Sequence, residues 1–209
     1  LVLPTMVDAH LHLDKAFTLE RMGPVKPGLL AAIEAMMVDK QNWTAADVRR
    51  RASQGLQWAY EAGVSHARSH CDWWEPDSVP VAWEVLRELA QEWAGRVLLE
   101  RVSLIPLHLY EERGVAMRLA KQVALSGAGA LLGGFVHSTN WSPQALRNLL
   151  EAAQQHGLDV DLHVDEELNP AAQGLATTAA LLKELRFEAR VVCGHTCALA
   201  AQPLEQALR

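Results

Sequence analysis

The sequence predicts an α/β protein built on a parallel sheet, and three observations carry that prediction. Short β-branched apolar runs alternate with helical apolar patterns six times along the 209 residues, the rhythm of βαβ units. Ionisable residues, histidines above all, fall just past the strand-like runs, which is the edge where parallel α/β sheets carry their sites. Half of the residues are hydrophobic and no low-complexity segment intervenes, enough for a buried core in a single domain over residues 1–209. A β/α barrel and an open doubly wound sheet both fit this rhythm. No G-x-G-x-x-G or Walker A sequence occurs, so a nucleotide-binding version of the open sheet has little support.

The elements follow in order. Residues 2–12 read as a strand, interrupted by Pro4 and Thr5. Residues 29–38 carry a helical apolar pattern. Thr44 is a candidate N-cap with Asp47 three positions on, and the helix that follows stops at Gly63. Residues 64–69 read as a buried strand, and Pro80 opens a helix over 81–95. Strand three spans 97–105 and a helix 112–126. The fourth strand, 129–137, is rich in glycine. Ser142 and Pro143 mark the N-cap and first position of a helix running to His156 and Gly157. Strand five covers 158–164, residues 170–185 are mostly helical, and strand six covers 189–193 before another helix begins. The chain starts with Leu1 rather than Met and ends at Arg209 inside a helical pattern, so both ends are expected to be cut.

The net charge of −6 favours neither nucleic acid nor an anionic membrane surface as a partner. No run approaches the ~20 apolar residues of a membrane span, and no basic segment opens the chain as in a secretory signal. Cys71, Cys193 and Cys197 lack C-x-x-C spacing, which fits a reducing, cytoplasmic setting.

The reactive side chains cluster by strand end. His10 and His12 close the first, His70 and Asp72 the second, and His108 follows the third. His137 closes the fourth, His163, Asp165 and Glu166 the fifth, and His195 follows the sixth. In His10-Leu11-His12, alternation across a strand aims both imidazoles to one side. Neutral imidazole is a good ligand for zinc or ferrous iron.

The segment VDAHLHLDKAF at 7–17, with His163-Val164-Asp165-Glu166 and Gly194-His195-Thr196, resembles the amidohydrolase superfamily. Its cytosine deaminase and isopropylammelide (triazine) aminohydrolase branch is the most similar. The resemblance implies a partial (β/α)8 TIM-like barrel with six of the eight units present, in a family whose barrels take ~250 residues. It implies one divalent ion, Zn2+ or Fe2+, held by His10, His12 and His163. Glu166 would shuttle a proton to a ring nitrogen of the substrate, and His195 would orient the attacking water. Lys15, in the H-L-H-L-D-K form of the triazine branch, and His108 would contact substrate. His70, Asp72 and Asp165 would support the ligands from behind. His137 stands where two-metal relatives carry a carboxylated lysine, so a lysine-bridged pair of ions is not expected. Leu107 takes the place of the glutamine that reads the amide edge of cytosine, which disfavours cytosine itself.

The implied activity is metal-dependent hydrolytic deamination of an amino-substituted nitrogen heterocycle, with a small molecule as the partner. A cyclic amide or imide hydrolase of the same superfamily is the alternative. The family's fourth ligand, an Asp on strand eight, and its β-sandwich domain have no counterpart in residues 1–209. A catalytically inactive segment with residual metal binding is therefore the remaining reading. Unpaired strand edges make a homo-oligomer a further expectation.

Overall fold

The computed structural model describes residues 2–208. Six strands, β1 (Met6–Leu11), β2 (Val64–Asp72), β3 (Leu98–Leu104), β4 (Ala130–Val136), β5 (Val160–Val164) and β6 (Val191–His195), hydrogen-bond in chain order. The β1–β2, β4–β5 and β5–β6 pairs are parallel. This order decides between the two architectures. A doubly wound sheet reverses direction at a switch point, whereas neighbours in unbroken chain order with helical crossovers are the progression of a β/α barrel. The fold is α/β, with six units of such a barrel. The chain divides into two compact units: residues up to Asp72 with Val79–Arg101, and Trp73–Ser78 with residues from Val102 onward.

The first unit carries α1 (Leu19–Met22), α2 (Leu29–Asp39), α3 (Ala45–Glu61) and α4 (Val81–Glu92). Helix α3 begins as its sequence predicts, with the Thr44 hydroxyl accepting the Asp47 amide at 3.2 Å. Gly63, at φ 86°, turns the chain from that helix into β2. Val48, Ala52 and Leu56, spaced by four, are fully buried on one face. Thr44→Ala is expected to lower the stability of the chain by about 1 kcal/mol, read as a lower urea midpoint at unchanged slope. The Arg51 side chain is wholly buried. Its Nη1 donates to the Asp14 and Ala16 carbonyls at 2.7 and 2.9 Å, and its Nε to Asp47 at 2.9 Å. One guanidinium thus fastens the segment after β1 to α3.

The second unit carries α5 (Arg113–Leu125), α6 (Pro143–His156), α7 (Gly174–Leu185) and α8 (Leu204–Ala207). Ser142 accepts the Ala145 amide at 3.2 Å, Pro143 opens α6, and Gly157 closes it in the left-handed conformation. The glycines of β4 have a packing reason. A Cβ on Gly133 would lie 2.5 Å from the Ser103 carbonyl, so only glycine lets the backbones approach this closely. The Gly133 carbonyl accepts from the buried Tyr110 hydroxyl at 2.8 Å.

The boundaries differ from expectation where polar residues are buried. Strand β2 runs on to Asp72, because His70 and Asp72 are buried at 0 and 2% exposure although they break the apolar pattern. Helix α7 starts at Gly174 rather than near 170, because its first amides are drawn to a carboxylate described below. Strand β6 ends at His195, two residues later than its apolar run suggests.

Candidate functional site

In the first unit, His10 is the penultimate residue of β1 and His12 directly follows the strand. The β1–β2 register is irregular between Asp8 and Leu11, so strict alternation does not place these side chains. A bulge re-aims them. The two rings stand 5.4 Å apart, edge to face at 70°, and the His10 amide donates to Asp8 at 3.3 Å. His70 joins them, its ring centroid 4.2 Å from that of His10 and 5.4 Å from that of His12. Three imidazoles from two strand ends therefore converge, with the fully buried His70 packed against the other two.

Beside them lies a buried charged cluster. Lys15 donates to Asp72 at 2.7 Å, and the Asp72 amide donates to Asp14 at 2.8 Å. The Leu13 amide is held by the Ser69 hydroxyl at 3.0 Å. Burial pushes the Asp14 carboxyl up to about 6, with the Lys15 ammonium opposing and the Asp72 charge assisting. Burial works against the Lys15 ammonium, but Asp72 and Asp14 more than offset it and raise its pKa. The Cys71 thiol is pushed well up by burial, which makes it a poor nucleophile at neutral pH.

In the second unit, His163 is 3% exposed in the middle of a parallel triplet of strands, paired to Phe135 on one side and Gly194 on the other. Its ring centroid is 4.5 Å from that of His195. His195 Nδ1 lies 3.4 Å from the Glu166 carboxylate. Three candidate residues are therefore gathered by the ends of β5 and β6. The backbone is turned sharply here: Asp165, His195 and Thr196 all have φ between 50° and 64°, a conformation uncommon for residues other than glycine. The Thr196 amide donates to Val164, and the Ala198 amide to Asp165, at 2.9 and 3.2 Å.

Asp165 has partners that the sequence did not indicate. Its two carboxylate oxygens accept the Gly174 and Leu175 amides, at 3.1 and 3.0 Å, at the start of α7. A Cβ on Gly174 would lie 2.4 Å from the Asp165 carboxylate. Burial raises the Asp165 pKa, and the two amides oppose the shift. The residue joins β5 to α7, and the Val136 carbonyl receives its own amide at 2.9 Å.

The other expected residues have surroundings of their own. His108 is exposed on the turn over Leu107–Tyr110 and makes no hydrogen bond or ring contact with another candidate among the described residues. Leu107 is fully buried. His137 stacks on Phe135 and accepts the Thr139 amide at Nδ1. Arg51 was missed as a residue that positions the site. Its only sequence signal is the i, i+4 spacing to Asp47.

No family model matches the chain. Over 203 residues it is 36% identical to the pterin deaminase of Rhizobium rhizogenes strain K84, an alignment that covers 97% of this chain and 46% of that protein. Among solved structures, 5-methylcytosine deaminase from Klebsiella pneumoniae liganded with phosphonocytosine superposes with a TM-score of 0.81 at 26% identity, over 98% of this chain and 50% of that one. N-isopropylammelide isopropylaminohydrolase from Burkholderia multivorans shares the fold, with a TM-score of 0.73 at 22% identity, over 98% of this chain and 51% of that one. The chain spans about half the length of the relatives it matches.

Proposed function

We infer that this chain, which belongs to the amidohydrolase superfamily, forms most of the metal site of an enzyme that hydrolytically deaminates an amino-substituted nitrogen heterocycle. The observation that carries this reading is the order of the motifs H-x-H, H-x-D-E and G-H-T, at the ends of β1, β5 and β6, in a chain 36% identical to a pterin deaminase.

His10, His12 and His163 are the proposed ligands of one divalent ion. Three neutral imidazoles suit either Zn2+ or Fe2+. Such an ion, when bound, supplies Lewis acidity and makes hydroxide accessible near neutral pH. The protein's own residues do the rest. Glu166 takes a proton from the attacking water and delivers it to a ring nitrogen, then takes a second from the hydroxyl so formed and delivers it to the departing amine, which is general acid–base work. His195, 3.4 Å from that carboxylate, orients the attacking water and holds Glu166 in place. His70 packs against His10 and His12 and limits their rotation. Lys15, its ammonium steadied by Asp72, is the proposed contact to a substrate oxygen. The buried Leu107 presents no polar edge, so the proposed substrate is an amino heterocycle other than cytosine, of the aminopyrimidine, pterin or triazine class.

The test is ammonia release. In a chain that also carries the strand-eight carboxylate, zinc- or iron-loaded protein is expected to release ammonia from at least one member of a panel of aminopyrimidines, pterins and triazines. A carboxylate product without ammonia would instead identify a cyclic amide or imide hydrolase, and no product from any substrate would overturn both. Residues 1–209 by themselves are proposed to bind metal without turnover, because they offer three imidazoles and no strand-eight carboxylate. No helix among the described residues is long and apolar enough to cross a membrane. A cytoplasmic setting is proposed on the three free cysteines.

A further inference from the structure

We infer that Asp165 is a positioning residue for Glu166: its carboxylate closes the loop that carries Glu166 and so holds that side chain in reach of His195. The inference rests on the deaminase reading, in which Glu166 moves the protons.

Between β5 and α7 the chain runs through residues 165–173 without regular structure. Apolar burial does little to fix this stretch. Leu168 is 75% exposed, and of residues 166–173 only Ala172 is buried. Polar ties therefore set its course. Glu167 accepts the Ser138 amide at 2.7 Å, and the Asn169 side chain donates to the Ser138 hydroxyl at 3.0 Å. Both fasten the outer part of the loop to the exit of β4. Asp165 joins its two ends, because the carboxylate accepts the Gly174 and Leu175 amides nine and ten residues further on. A carboxylate on the first amides of a twelve-residue helix is also favoured by the positive end of the helix dipole.

The main chain of the same residue is tied on both sides. Its amide donates to the Val136 carbonyl at 2.9 Å, and its carbonyl accepts the Ala198 amide, three residues past His195, at 3.2 Å. Asp165 thus meets the exit of β4, the start of α7 and the turn after β6. Its φ of 51° bends the chain directly before Glu166, and the Glu166 carboxylate then lies 3.4 Å from His195 Nδ1. The hydrogen-bond partners of the Asp165 carboxylate are main-chain amides rather than an imidazole, which directs its effect to the loop and not to metal affinity.

The test uses metal-loaded enzyme in a chain that also carries the strand-eight carboxylate. Asp165→Asn keeps the size of the side chain but turns one acceptor into a donor that faces a main-chain amide. Gly174→Ala disturbs the same joint from the other side, since its Cβ would lie 2.4 Å from the Asp165 carboxylate. Each is expected to lower kcat on the order of 100-fold, the effect of displacing a reacting group by about 1 Å, with KM and zinc affinity at parental values. The double variant should fall no further than either single one, because both break one joint. Asp159→Ala is the control for stability. It removes the fork from Arg190, at 2.9 and 2.6 Å, directly before β5, and should lower the urea midpoint while kcat stays parental. Parental kcat in Asp165→Asn overturns the inference. So does a loss of zinc affinity of about 10- to 100-fold in that variant, which would make Asp165 a support for His163, and so does an equal loss of kcat in Asp159→Ala. A parent that releases no ammonia from any substrate of the panel overturns the deaminase reading itself, and this inference with it.

Discussion

His163→Ala is expected to reduce the affinity of the chain for zinc or ferrous iron by more than ~100-fold. Loss of a residue that merely supports a ligand costs 10–100-fold in metal affinity, and loss of a ligand exceeds that. His163 is well placed for such a role: it is 3% exposed and lies between two parallel neighbours, so its backbone cannot readily shift to compensate. His12→Ala should behave alike. His70→Ala should fall within the range for a supporting residue, because its ring packs on His10 and His12. His108→Ala should leave metal affinity unchanged, since that residue is exposed and makes no hydrogen bond or ring contact with a proposed ligand among the described residues. Competition against a chelating dye measures all four. Wild-type affinity in His163→Ala would remove that residue from the ligand set while leaving the fold assignment intact.

How legible the site was depends on which interactions are local. Caps are local, and Thr44, Ser142 and Gly157 act where their neighbours in sequence say they should. The strand rhythm is also local, and it placed all six strands to within a few residues. The errors arise where distant contacts decide. Nothing in Asp8 to Leu11 announces a register irregularity, since it depends on pairing with β2. The turns at Asp165, His195 and Thr196 use left-handed backbone without glycine, so the usual composition signal is missing. They are held by bonds such as Thr196 to Val164 and Ala198 to Asp165. Asp165 reads from sequence as part of a catalytic motif, yet its carboxylate partners are amides nine and ten residues further on. Burial of polar groups is illegible for the same reason: one of three consecutive arginines, Arg51, is interior while Arg50 is exposed.

That interior arginine is where the largest stability effect is expected. Arg51→Leu keeps much of the side-chain volume but removes every donor. The Asp14 and Ala16 carbonyls lose their guanidinium partner, and Asp47 loses one of its two buried or half-buried cations. Breaking one side of a buried charged network of this kind lowers stability by about 3–5 kcal/mol. Acid sensitivity should change as well. Burial acts to raise the Asp47 carboxyl, but hydrogen bonds from Arg21 and Arg51 prevail and hold it down to about 2, against an ordinary value of 3.8. A carboxylate depressed in the folded state contributes stability above its unfolded pKa and loses it as pH falls through the folded one. The variant retains Arg21 and the exposed Arg50, so it should lose less stability between pH 4 and pH 2 than the parent does. Urea midpoints across that range, and at pH 7, measure both effects. A loss below about 1 kcal/mol at pH 7 would show that water replaces the guanidinium at the two carbonyls. Because those carbonyls belong to the segment directly after His12, the same variant should also weaken metal binding, even though Arg51 touches none of the proposed ligands in the first unit.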